Sequence, residues 1–394
     1  MKTIVISDIH LGIDDRIAET VKNRPLLIAF LEDIIRKKSA DEVVINGDFL
    51  DQWFLPGRYS GPEDSDEFYL ACAKNNQPVM GAFQKLIDSG IHLVYVPGNH
   101  DMTLSHEILS RILPGIIQAR DVRGLGRYRT GSRGEVVIEH CHRYESFCAP
   151  DIFSNRSFVE EGDPILPPGY FFARIGVQSI AEGMPDVRKN LDEIRLPDKN
   201  DPVQIVSYAY HKVWKTVIED RFPVRESMQD AFIHVAVDGF KGDFSISDIV
   251  PTESADGISA RLYHDFGQHW DELCHRNLVP APINLLEQLS RMTDQSLRAE
   301  YAKAQYFDLD PTVDVVVFGH THVPYYQEYS EGYDRKKIYV NEGTWVDHNM
   351  DDPENTAVFA EIISEGSKTS VELKNVYRRA ADMRLFLLWQ DRRS

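Results

Sequence analysis

TIVISDIH, residues 3–10, sets how the rest of the chain reads. A short β-branched, apolar run goes straight into Asp8 and His10, so a buried strand is expected to end in residues that can bind a metal. The same figure recurs four times. VVINGDFLD (43–51) ends in Asp48 and Asp51, and LVYVPGNHD (93–101) ends in Asn99, His100 and Asp101. VVIEHCH (136–142) ends in His140, Cys141 and His142, and VVVFGHTH (315–322) ends in His320 and His322. Each piece alone has an ordinary reading as a turn former, a cap or a solvated loop histidine. In an open α/β sheet, however, the ligand site lies beyond the carboxyl ends of the strands, so five such ends are expected to converge.

The segments between these runs support an α/β core. Residues 24–38 and 66–89 carry helical patterns between strands, which signals βαβ units and a largely parallel sheet. Residues 121–134 read as a loop or hairpin. After about residue 143 the pattern changes. Residues 148–171 are rich in turn formers, and helices are expected over 202–222 and 281–307. Strand patterns return only at 313–319, 337–345, 357–363 and 370–377. The expected organisation is a core of residues 1–143 plus 311–394, interrupted by a mainly helical insertion over 144–310. That insertion leaves the core just after His142 and returns just before His320, so it is expected to cap the site and select the substrate.

Composition narrows the partners. The 394 residues carry 62 acidic against 43 basic side chains, a net charge of −19. That balance argues against a nucleic-acid partner and against an anionic membrane surface. Cys72, Cys141, Cys148 and Cys274 are too few and scattered for a disulfide framework, so reduced thiols in a cytoplasmic protein are expected. No secretory signal or membrane span is read in the chain. The oligomeric state stays open.

The donor types point to the metals. Asp8, His10, Asp48, Asn99, His140, His320 and His322 mix carboxylate, amide oxygen and imidazole. Burying such a set without cations would cost several kcal/mol. It has more donors than one ion uses and too much nitrogen for Ca²⁺ or Mg²⁺. Two divalent transition ions are expected, with Mn first and Fe, Zn or Co as alternatives. Asp48 suits a bridge holding a pair about 3.5–4 Å apart.

In this order, D-x-H, GDxxD, GNHD, a histidine strand end and GHTH resemble the calcineurin-like metallophosphoesterases, over residues 1–142 and 312 to about 380. The resemblance implies a four-layer α-β-β-α sandwich. It also implies one ion held by Asp8, His10, Asp48 and His322, and a second held by Asp48, Asn99, His140 and His320. Between His140 and His142, the former is favoured because it directly follows its strand. His100 would act on the leaving group with Asp101 orienting it, in hydrolysis of a phosphate ester or pyrophosphate by metal-activated hydroxide. Cys141 stands where such proteins carry a small glycine-like residue, and the insertion is larger than in compact members. The expected partner is a small phosphorylated substrate, with His142, Arg123 and Arg127 as candidate contacts. Asn341 and Gly343 would support the site. His211, His264, His269 and His275 are expected to be surface or packing residues. UDP-2,3-diacylglucosamine hydrolases resemble the chain more distantly; a nuclease or a non-catalytic scaffold on the same fold ranks below them.

Overall fold

A computed structural model describes residues 1–159, 162, 165–187, 189–195, 197–347, 355–379 and 382–389. Parts of the expected irregular stretch (160, 161, 163 and 164) and the end of the expected core (390–394) lie outside the described residues. The chain divides into two compact units. One comprises residues 1–52, 69–142 and 294–394, and the other residues 53–68 and 143–293.

The first unit is built on two sheets. In the seven-stranded sheet, Lys2–Ile6, Glu42–Asn46, His92–Val96 and Ile117–Gln118 run parallel. Val358–Glu365, Lys368–Arg379 and Asp382–Trp389 extend it antiparallel from the Lys2–Ile6 edge. The five-stranded sheet has Val136–Glu139, Val315–Phe318 and Lys337–Asn341 in parallel, flanked by antiparallel Tyr128–Thr130 and Tyr325–Tyr329. Side chains alternate along a strand, so every second residue of each β-branched run faces the other sheet. Val5, Val44, Val94 and Val96 thereby pack with Val136, Ile138, Val315, Val317, Ile338 and Val340. The remaining residues of these runs face outward and need helices to cover them. Phe30 of helix Arg24–Lys37 packs on Phe359, with ring centroids 4.7 Å apart, and Tyr306 covers Phe318 of the second sheet. The result is a four-layer α-β-β-α sandwich.

Several local expectations change. The pattern over 66–89 splits into Ser65–Asn75 and Gln77–Asp88, because the Asn76 amide donates to Gly12 O and Cys72 O and Pro78 lies in the first turn of the second helix. The single helix expected over 281–307 is broken. Leu285–Ser290 ends before Asp294, whose side chain caps Gln295–Ala302 by accepting from Ser296 N. The boundary between units falls at this break, so residues 294–310 belong with the sandwich.

The second unit is not simply helical. Helices Pro168–Ala181 and Pro202–Thr216 are joined by two β-hairpins, Ile233–Val237 with Phe240–Phe244 and Thr252–Ser254 with Gly257–Ser259. The first hairpin turns on Asp238-Gly239, both at positive φ, the conformation of a tight two-residue hairpin turn. Residues 53–68 belong here because the Arg174 guanidinium, 2% exposed, donates to Leu55 O, Pro56 O and Gly57 O. Among the described residues no helix is long and apolar enough to cross a membrane.

Candidate metal centre

The turns that follow the strands are held in unusual backbone conformations. Asp8, His10, Asp48, Cys141, His320 and His322 all have φ between +47° and +76°. Left-handed backbone at residues other than glycine costs on the order of 1 kcal/mol each and persists only where surrounding bonds impose it. Those bonds are present. Ile9 N and His10 N donate to Asp48 O at 3.0 and 2.9 Å, tying the first turn to the second. Asp8 O accepts from Trp345 N and from Thr344 Oγ1. Asn341 Nδ2 donates to Gly319 O, which fixes the last turn. Close approach needs glycine as well. A Cβ on Gly47 would stand 2.4 Å from His140 Nδ1, and one on Gly98 would stand 2.2 Å from Asp48 N. Cys141 therefore occupies a left-handed position, at φ +76°, without being glycine.

These turns bring the predicted donors together as two triads. Asp8, His10 and His322 form one, and Asp48, His140 and His320 the other, with donor atoms of each triad within 4.8 Å of one another. Asp48 Oδ2 links them, lying 3.6 Å from His10 Nε2 and 3.1 Å from His140 Nε2. Asn99 Oδ1 joins the second triad, 3.2 Å from His140 Nε2.

The hydrogen bonds around the triads show what is missing inside them. His140 Nδ1 donates to Asn46 O at 2.7 Å, so in the neutral ring Nε2 aims a lone pair at the oxygens of Asp48 and Asn99. His10 Nδ1 donates to Asp51 Oδ2 at 2.7 Å, and its Nε2 faces His322 Nε2 at 3.0 Å. Asp8 Oδ1 is buried and accepts no hydrogen bond. Lone pairs converging on one another in a buried space call for cations, and this donor set fits transition ions. Without them protons must serve. Burial would push the Asp8 and Asp48 carboxyls up, but the neighbouring imidazoles, His140 foremost, hold both well below the usual carboxylate range. Burial opposes charge on His140 too, yet Asp48 and Asp8 raise its pKa to about 10.

His100 sits beside this cluster, its ring edge-on to His10 with centroids 4.6 Å apart. Its orienting partner differs from the expected one. His100 Nδ1 donates to Asp51 Oδ1 at 2.9 Å, so Asp51 spans His100 and His10. Asp101 instead accepts from Phe49 N and Gly98 N, both at 2.7 Å, and so braces the two turns that carry Asp48 and Asn99. Burial and the Asp48 charge push its carboxyl up to about 6. The sequence set Asp51 beside Asp48 without giving it a role; its spacing alone could not rank it above Asp101. Glu19, 3.4 Å from His10 Nδ1, had no signal in the sequence.

The substrate candidates fare unevenly. His142 lies edge-on to His140, but its Nε2 donates to Gly124 O at 3.2 Å, which ties it to the 121–126 loop. Arg127 Nε is paired with Asp121 at 3.1 Å, within the same loop. Arg123 is exposed beside Gly124, where an added Cβ would meet Met102 at 2.5 Å, so the loop runs close behind the GNHD turn.

Comparison with known proteins identifies the family. The family model for calcineurin-like phosphoesterases matches residues 1–324. Among solved structures, the chain is similar to a dimetal phosphatase from Danio rerio, with 12% identity, 95% of each chain covered and a TM-score of 0.40. No curated protein matches the sequence. The chain belongs to the calcineurin-like phosphoesterases and is a metal-dependent phosphoric ester hydrolase.

Proposed function

We propose that the protein hydrolyses a small phosphate ester or pyrophosphate at a two-ion centre, with Mn²⁺ as the working metal. One observation carries this reading: Asp48 Oδ2 lies between His10 Nε2 and His140 Nε2, where a bridging carboxylate has to be. Asp8, His10 and His322 would hold one ion, Asn99, His140 and His320 the other, and Asp48 both. Such ions supply a hydroxide nucleophile near neutral pH and neutralise charge on phosphoryl oxygens. His100 gives its Nε2 proton to the departing oxygen, and Asp51 fixes that tautomer by holding Nδ1–H. Burial opposes charge on His100, but Asp51 and Asp48 raise its pKa above the ordinary imidazole value, as a general acid requires.

The second unit is the part of the chain proposed to select the substrate. It joins the sandwich covalently one residue after Asp51 and directly after His142, so its segments begin next to site residues. A cytoplasmic setting accords with four cysteines held as thiols. The reading is tested by assaying purified protein with Mn²⁺ against monoesters, diesters and pyrophosphates. Activity on one class that is abolished by chelator and restored by Mn²⁺ supports it. No metal-dependent hydrolysis in any class would refute it.

A further inference from the structure

The two central imidazoles are backed differently. His140 Nδ1 donates to Asn46 O, a neutral carbonyl, at 2.7 Å. His10 Nδ1 donates to the Asp51 carboxylate at 2.7 Å and also lies 3.4 Å from Glu19 Oε2. Donor atoms of His10, Glu19 and Asp51 fall within 4.8 Å of one another. Asp51 takes the hydrogen bond, so Glu19 stands at the ring as a second charge.

The fold places Glu19 there by several ties. The backbone closes tightly after His10. A Cβ on Gly12 would stand 2.7 Å from Ala18 Cβ, so the 12–18 loop returns Glu19 to the ring that the chain has just left. Glu19 O then accepts from Asp347 N at 2.8 Å, and the Asp347 carboxylate accepts from Val21 N, Lys22 N and Asn23 N. The same segment reaches the site, since Trp345 N donates to Asp8 O at 3.1 Å. The Glu19 side chain is only 10% exposed, so its charge is weakly screened.

Two carboxylates this close repel each other unless positive charge stands beside them. Two divalent ions would bring four positive charges to the centre, of which Asp8 and Asp48 return two. Asp51 and Glu19 can supply the other two, and both stand on the His10 side. A carboxylate behind a ligating imidazole makes the ring a stronger donor and tightens its hold on a metal.

We propose that Glu19 is a positioning residue that acts through His10. Its charge strengthens binding of the ion at Asp8, His10 and His322, and affects the ion at His140 much less. The inference rests on the two-ion reading given above.

The test titrates chelator-treated, full-length protein with Co²⁺. Uptake is followed by calorimetry, and the paramagnetically shifted ring N–H protons of His10 and His140 by NMR. Glu19→Gln keeps the shape of the side chain and removes its charge. One of the two ions should then bind about 10–100-fold more weakly. The His10 Nδ1–H line should move and should need more Co²⁺ to appear, while the His140 line keeps its position. Glu19→Asp, which retains the charge, should hold most of the affinity. Unchanged affinity for both ions in Glu19→Gln, an equal loss at both, or an unmoved His10 line overturns the proposal. If Glu19→Gln fails to fold, Glu19→Asp decides alone: a His10 line formed at the Co²⁺ level of the unaltered protein supports the charge, and loss of that line overturns it. Saturation of the unaltered protein at a single ion would refute the paired centre instead, and the His10 line, which needs only the ion on that ring, would still decide Glu19.

Discussion

Glu42 and Asp48 lie six residues apart, both buried, and the fold treats them in opposite ways. Glu42 accepts from Thr3 Oγ1 at 2.7 Å, Thr130 Oγ1 at 2.6 Å and Tyr128 OH at 2.7 Å, hydroxyls drawn from both sheets. Glu135 does the same on the other sheet, taking the hydroxyls of Ser364 and Thr369 and the N–H of Arg133. These carboxylates have their donors and hold the two sheets in register. Asp48 and Asp8 each accept a backbone N–H, of His100 and His320, on one oxygen, but turn the other to imidazole nitrogens, on turns kept in left-handed backbone. A satisfied buried carboxylate is a structural rivet, whereas one kept among other lone pairs, at a cost in strain, marks where a cation belongs.

The sharpest way to break that contrast is Asp48→Asn. Hydrolysis should fall by about 10³-fold or more, the scale on which loss of a central electrostatic group is felt. In chelator-treated protein at neutral pH stability should fall only modestly, because Asp48 is paired there with the His140 imidazolium, which can give up its proton once the carboxylate has gone. A collapse in stability would place Asp48 with the rivets.

His100→Asn comes next. kcat should drop by about 10²–10⁴-fold for an alkyl phosphate and far less for p-nitrophenyl phosphate, whose leaving group needs no proton. Asp51→Asn should show the same leaving-group dependence on top of a loss common to both substrates, because Asp51 also holds His10. Asp101→Asn should lower both substrates together, since it braces turns and does not touch His100 Nδ1. Identical profiles for the two aspartate variants would contradict the assignment.

Glu42→Gln should reverse the signature of Asp48→Asn. Stability falls by about 2–3 kcal/mol, because three donors lose a charged acceptor, while activity per folded molecule stays within about twofold. Denaturant titration alongside the assay separates the two. The smallest effect is in acid. Burial pushes the Glu135 carboxyl up, but the hydroxyls of Ser364 and Thr369 hold it down at about 2, from an ordinary 4.5. The folded-state pKa is the lower one, so its contribution is complete above pH 4.5 and is lost as pH falls through 2. Glu135→Gln should therefore show a shallower loss of stability over that window, and an unchanged slope would contradict the role.

The sandwich and the gathering of the seven candidate donors were legible because β-branched runs ending in Asp, Asn or His carry two signals at once, strand and site. What the sequence did not separate were groups that differ only in which way a tight turn points them. Asp51 and Asp101 each lie close to a donor, and only the folded turns send one to His100 and the other to backbone N–H groups. The hairpins of the second unit went unread for a related reason. Ile233, Val235 and Val237 alternate, and Asp238-Gly239 marks a hairpin, but the flanking helical periodicity drew the reading towards helix. Residues 53–68 gave no sign of their partner, because it is Arg174, more than a hundred positions away.

The paired centre is tested most directly by titrating chelator-treated protein with Mn²⁺ and following the ions by electron paramagnetic resonance. Two ions per chain should bind, and the spectrum at saturation should show exchange coupling that Asp48→Asn abolishes. Saturation at a single ion, or two ions with no coupling in the unaltered protein, would contradict a centre bridged by Asp48.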